Sequence, residues 1–117
     1  MDTGKKVLII DDEIDLCMLL KGYFQRKNYQ VSVSHNCAEG LATLHEIKPD
    51  IVFIDNNLPD GLGWEAVPAL SQQYPDIFFC LVSAFHPQIP QMPENAKYMV
   101  IEKPIRLSDL DAKFSSF

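Results

Sequence analysis

The chain has 117 residues, enough for one hydrophobic core and too few for two, so a single domain spanning residues 1–117 is expected. With 47% hydrophobic and 22% charged residues, the composition is that of a folded globular protein and argues against a disordered one. A net charge of -6 and a pI near 4.8 argue against a nucleic-acid surface, which needs clustered Lys and Arg.

Cys17, Cys37 and Cys80 are odd in number, widely spaced and without a C-x-x-C pair, a pattern of buried reduced thiols rather than of a disulfide scaffold. The longest unbroken apolar run, Ile77 to Val82, is six residues. No membrane span or signal-peptide core is therefore expected, and the cytoplasm is the expected location.

In chain order, Val7-Leu8-Ile9-Ile10 is an apolar run that ends in Asp11-Asp12-Glu13, as a buried strand with carboxylates at its tip would. From Glu13 to Lys27, Leu16, Leu19, Leu20, Tyr23 and Phe24 recur at helical spacing. Acids occupy the first turn and Arg26 and Lys27 the last, which predicts an amphipathic helix. Tyr29 to Ser34 alternates, with Val31 and Val33 on one face, as in a strand near a sheet edge. Asn36 then predicts a cap for a short helix through Glu46, with Ala38, Leu41 and Leu44 facing inward and Gly40 weakening it.

Ile51 to Ile54 are apolar without alternation, which suits a strand covered on both faces. That strand delivers Asp55 onto the loop Asn56 to Gly63, where Pro59 cannot join a ladder and Asp60, Gly61 and Gly63 favour turns. Trp64, Val67 and Leu70 predict a helix to about Gln73. If it begins near Leu62 or Gly63, Pro68 closes its first turn and brings only a local distortion. Trp64 is expected in the core. Ile77 to Val82 predicts a fourth strand ending at Ser83, and Tyr98 to Ile101 a fifth ending at Glu102-Lys103-Pro104. Ser108 is the expected cap of a last helix that carries Leu110 and Phe114.

Pro87, Pro90 and Pro93 recur every third residue between the last two strands. Pro87 can open a helix, but Pro90 and Pro93 would each remove an interior amide at about 3 kcal/mol, so a regular helix is not expected there. The spacing suits an extended polyproline-like strip instead.

Five strands alternating with helices imply right-handed crossovers and an α/β fold: a doubly wound, five-stranded parallel sheet of flavodoxin-like order 2-1-3-4-5, with an atypical or missing fourth helix. That order brings Asp11, Asp12, Asp55, Ser83 and Lys103 to one sheet edge. Two carboxylates 4 Å apart repel by about 4 kcal/mol at an effective dielectric near 20, so three of them call for a cation or a proton. Carboxylates with a backbone carbonyl and waters make a hard oxygen shell that suits Mg²⁺. The Lys103 amine and the Ser83 hydroxyl can face the oxygens of a phosphoryl group, which leaves Asp55 as the nucleophile that forms an acyl phosphate.

Four separated motifs, Asp11-Asp12, Asp55 with Leu58-Pro59 and Gly63, Ser83-Ala84, and Lys103-Pro104, together resemble the receiver domain of bacterial response regulators over essentially the whole chain. The resemblance implies that Asp55 is the phosphoacceptor, that Asp12 ligates Mg²⁺ directly and Asp11 largely through water, and that the backbone carbonyl of Asn57 completes the shell. It makes Ser83 the switch hydroxyl, Lys103 the phosphate-binding amine and Lys103-Pro104 a cis peptide. It also implies a histidine kinase or a histidine phosphotransfer protein as phosphoryl donor, and a downstream protein or linked effector domain as output. Such a domain assists its own phosphotransfer and dephosphorylation rather than acting as an enzyme. No effector domain is legible, so either a free regulator or a receiver cut from a longer protein fits. By the same resemblance Asn57 and Phe85 flank the path of hydrolytic water, which the bulk of Phe85 should hinder.

The sequence departs from the family at Val100, where an aromatic three residues before the lysine is usual; Tyr98, on the same strand face, is a substitute reporter. Partners would then read the proline-rich strip, the last helix, or both. Glu13 and Asp15 are assigned to the helix dipole rather than the metal. His35, His45 and His86 have no zinc spacing, and His86 is read as a loop residue bordering the site. Two rival functions remain: a pseudo-receiver that serves as an interaction module without phosphorylation, and a Mg²⁺-dependent phosphohydrolase of the haloacid dehalogenase type. Against the latter, Asn57 stands where its D-x-D motif needs a proton-donating second Asp.

Overall fold

The structure is a computed structural model that describes residues 4–84 and 88–116. Strands β1 (Lys6–Ile10), β2 (Gln30–Ser34), β3 (Ile51–Asp55), β4 (Phe78–Ser83) and β5 (Tyr98–Glu102) pair in parallel in the order β2-β1-β3-β4-β5. This is the expected 2-1-3-4-5 order. Helices α1 (Ile14–Arg26) and α4 (Leu107–Phe114) cover one face of the sheet, and α2 (Cys37–Ile47) and α3 (Val67–Gln73) the other. Successive residues of β1 and β3 enter opposite cores: Val7, Ile9 and Phe53 meet Phe24 and Phe114, while Leu8, Ile10 and Ile54 meet Leu44, Trp64 and Val67. Both strand faces are therefore dry, which is why these strands lack polar alternation.

Pro68 falls where backbone donors are dispensable. A 3₁₀ turn over Gly63–Ala66 precedes α3, and Pro68 occupies the first turn of the α-helix, so the expected distortion takes the form of a tighter entry turn. The Asn36 cap forms, with Glu39 N–H donating to Asn36 Oδ1 at 2.9 Å. Two local expectations need correction. Leu44 is buried and Leu41 packs against the core as expected, but Ala38 is exposed, and Gly40 and Cys37 face inward in its place. Ser108 lies inside α4 rather than capping it; the cap residue is Arg106, whose N–H donates to Asp109 Oδ2 at 2.9 Å. The sequence offered a serine, but the carboxylate three residues past the cap satisfied the terminal amide better.

Residues 88–97 contain no helix, and in their place a turn forms where Ala96 N–H donates to Pro93 O at 3.0 Å. Met92 packs against the α2–α3 core. Phe85, His86 and Pro87 lie outside the described residues. Among the described residues no helix is long and apolar enough to cross a membrane. Cys17, Cys37 and Cys80 are free thiols, two of them fully buried.

Gly40 is explained by packing, not by propensity. A Cβ there would sit 2.7 Å from the side chain of Ile10, which is wholly buried and would have to shift. Gly40→Ala gains about 1 kcal/mol of helix propensity but overpacks by about 1 to 3 kcal/mol. We expect a net loss, read as a lower urea midpoint at constant slope; a raised midpoint would show that Ile10 can yield.

Candidate functional site

Parallel register sets the site. Ile10 pairs with Ile54, Asp55 with Val82, and Ser83 with Glu102, so the residues that end four neighbouring strands arrive at one edge of the sheet. Asp11, Asp12 and Asp55 each offer a carboxylate oxygen, all within 4.8 Å of one another. Asp11, Asp55 and Ser83 are buried and Asp12 is exposed. Lys103 Nζ reaches 3.3 Å from Asp11 Oδ2 and 3.6 Å from Asp55 Oδ2. Its backbone N–H donates to Ser83 O at 2.8 Å, and Lys103-Pro104 is cis. The structure thus brings together Asp11, Asp12, Asp55 and Lys103, with Ser83 on the adjoining strand tip. Asn57 lies two residues past Asp55, exposed, in a two-residue antiparallel ribbon of Asn57–Leu62 and Leu58–Gly61 pairs.

Burial and crowding set the charges. Burial, and then the charge of Asp11, raise the Asp55 carboxyl to about 6, against the opposing pull of Lys103. Burial likewise raises Asp11, although Glu13 N–H and Lys103 both favour its charged form. Burial alone would lower the Lys103 amine, but Glu13, Asp11 and Asp55 outweigh it and the net shift is upward. Asp11 Oδ2 is buried, and its partner is the Lys103 ammonium at 3.3 Å.

A family model for the response regulator receiver domain matches residues 7–115. The chain belongs to that family. It is 33% identical over 86 residues to chemotaxis protein CheY of Thermotoga maritima, covering 73% of this chain and 72% of that protein. Over 87 residues it is 33% identical to transcriptional regulatory protein PrrA of Mycobacterium leprae, covering 72% of this chain and 37% of that one. The receiver spans less than half the length of the first transcriptional regulators it matches. Among solved structures, response regulator TrrA of Thermotoga maritima, crystallised with Mg²⁺ and beryllofluoride, superposes with a TM-score of 0.79 at 24% identity over 95% of this chain and 96% of that one. TrrA has also been crystallised in complex with the histidine kinase ThkA.

Several residues of the receiver's site were not singled out from sequence. Glu13, assigned to the helix dipole, sends its carboxylate to Lys103 Nζ at 3.0 Å, closer than either aspartate. His35 and Cys17 both meet the backbone carbonyl of Asp11, at 3.0 and 3.3 Å. Asp60, seen only as a turn former, accepts from Cys37 N–H and Ala38 N–H at the start of α2, and these bonds hold its carboxyl below the usual range. Only Glu13 had a signal, its place beside Asp11-Asp12; the others act across segments that only folding brings together. Gly63 is legible in hindsight: any Cβ there would collide with the Asp55 carbonyl.

A raised Asp55 carboxyl means that the folded, metal-stripped protein binds this proton more tightly than the unfolded chain. The associated stability is present below the unfolded value near 3.8 and lost as pH rises through about 6. Asp55→Asn should therefore raise the melting temperature in EDTA at pH 8, with the gain shrinking through pH 6 and gone near pH 4. Equal melting temperatures at pH 8 would refute this charge burden.

Proposed function

We propose that this receiver takes a phosphoryl group from a phosphohistidine donor onto Asp55, with Mg²⁺ held by Asp11, Asp12, Asp55 and the backbone carbonyl of Asn57, and signals by the change that follows. The observation that carries this reading is the set of three carboxylates within 4.8 Å of one another beside a single lysine. The donor set fits the ion: it is all oxygen, and it carries three carboxylates against one nearby lysine. When bound, Mg²⁺ neutralises charge on the carboxylates and on the oxygens of the transferred group.

The chain's own residues supply the rest. An Asp55 carboxylate oxygen attacks phosphorus as the P–N bond to the donor imidazole breaks, and the imidazole leaves with the bonding electron pair and takes up a proton. Lys103 is within a short side-chain swing of Asp55, and its amine donates to one phosphoryl oxygen while the Ser83 hydroxyl donates to another. Beside Lys103 opens a groove of about 440 Å³ whose floor is mostly apolar, from Leu16, Leu19, Ala84, Pro104 and Ile105, with Glu13 and Asp15 at its edge. Ile14, Met18 and Leu107 are large and exposed on the neighbouring elements. An apolar surface bordering the acceptor suits a protein donor, either a histidine kinase or a histidine phosphotransfer protein, better than a free metabolite. A cytoplasmic setting fits such an exchange. The proline-rich residues 88–97, with Tyr98 and Val100 behind them, are the proposed surface for partners.

Acetyl phosphate or phosphoramidate with Mg²⁺ should add one phosphoryl group by intact mass, and EDTA or Asp55→Asn should abolish the addition. Lys103→Ala should retain Mg²⁺ binding yet slow labelling by about a hundredfold or more, the scale of losing one transition-state donor. Wild-type protein that folds but takes neither Mg²⁺ nor phosphate would favour an interaction module instead, and labelling of Asp55→Asn would place the phosphoacceptor elsewhere.

A further inference from the structure

The segment after Asp55 is anchored at its base and again at its tip. At the base, Asn56 N–H donates to Val82 O at 3.3 Å, Gly63 N–H to Asn56 O at 2.9 Å, and Trp64 N–H to Asn56 Oδ1 at 3.2 Å. Between these lies the two-residue ribbon, with Leu58 buried and Pro59, Asp60, Gly61 and Leu62 exposed. So short a ribbon has little stability of its own. At its tip Asp60 reaches 22 and 23 residues back along the chain: Oδ1 accepts from Cys37 N–H at 2.7 Å and Oδ2 from Ala38 N–H at 2.9 Å. These first amides of α2 have no acceptor within the helix, and a carboxylate there gains from both hydrogen bonds and the helix dipole. The helix already has its own cap in Asn36, which serves a different amide, that of Glu39.

The stretch that receives Asp60 also touches the other side of the site. His35, two residues before the Cys37 amide, directs Nδ1 to the carbonyl of Asp11 at 3.0 Å, which requires its proton on Nδ1. Residues 35–38 therefore bracket the loop that carries Asp11 and the loop that follows Asp55.

We infer that Asp60 is a positioning residue for the aspartate site. Its carboxylate pins the ribbon tip to α2 and so holds Asn57 in place relative to Asp55. The effect on metal binding rests on the Mg²⁺ reading above; the restraint on the ribbon does not.

The test compares Asp60→Ala and Asp60→Asn with Asn36→Ala in the full chain. Asn36→Ala is the control, because it removes a cap from the same helix without touching the ribbon. Two readouts are needed: amide hydrogen exchange at Gly63 and Trp64 in metal-free protein, and Mg²⁺ affinity from Trp64 fluorescence. Asp60→Ala should speed exchange at both amides and weaken Mg²⁺ binding by about tenfold, the lower end for a residue supporting a ligand. Asp60→Asn, which keeps an acceptor but loses the charge, should fall between it and wild type; it also carries the comparison if the alanine variant does not fold. Asn36→Ala should lower the melting temperature yet leave both readouts at wild type. If Asp60→Ala and Asn36→Ala behave alike at Gly63 and Trp64, Asp60 is only a second helix cap and the inference falls. Wild-type protein that takes up no Mg²⁺ would overturn the metal reading instead, and the exchange comparison would decide the restraint without it.

Discussion

The crowding of carboxylates at the strand tips governs this molecule. Asp11 and Asp55 are buried, Asp12 stands beside them, and the amine that faces them, Lys103, is shared with Glu13. Removing charge from water is costly unless it is paired, and one amine does not pair four carboxylates. The result is an Asp55 carboxyl raised to about 6. A fold that served only stability would replace such a cluster with apolar side chains.

The rest of the fold holds that crowding in place. Two dry cores clamp β1 and β3 so that neither strand tip can retreat from the other. Close packing is enforced by absent side chains as much as by present ones: Gly63 admits the Asp55 carbonyl and Gly40 admits Ile10. Hydrogen bonds from α1, from the end of β2 and from the start of α2 then fix the loops around the acids, through Cys17, His35, Cys37 and Ala38. Electrostatic crowding at the edge is thus held in place by the close-packed cores beneath it.

On the far side of the site the structure is less regular. Between β4 and β5 the described residues 88–97 run without a helix, and Met92 supplies a single apolar plug to the α2–α3 core. Tyr98 is partly exposed, and Val100 packs inward on the same strand face. The described residues 88–97 therefore differ in kind from the helices that cover the remainder of the sheet.

The sequence by itself determined the sheet order, the strand tips and the acids upon them, because these depend on local periodicity and on the rule that parallel crossovers are right-handed. It also determined that residues 88–97, as described, carry no helix, since Pro90 and Pro93 each lack the amide that a helix needs. Even Asn36 was legible as a cap, because a cap acts within its own helix. Tertiary structure decided what depends on meeting across the chain. Ala38 faces solvent and Gly40 faces Ile10 because the approach of α2 to β1, rather than its composition, sets its inner face. Glu13 takes Lys103 from 90 residues away, and Asp60 takes the amides of α2, pairings whose partners carry no mark in the sequence. Local rules reach a few residues along the chain, whereas hydrogen bonds and ion pairs reach about 3 Å through space, and only the fold converts one distance into the other.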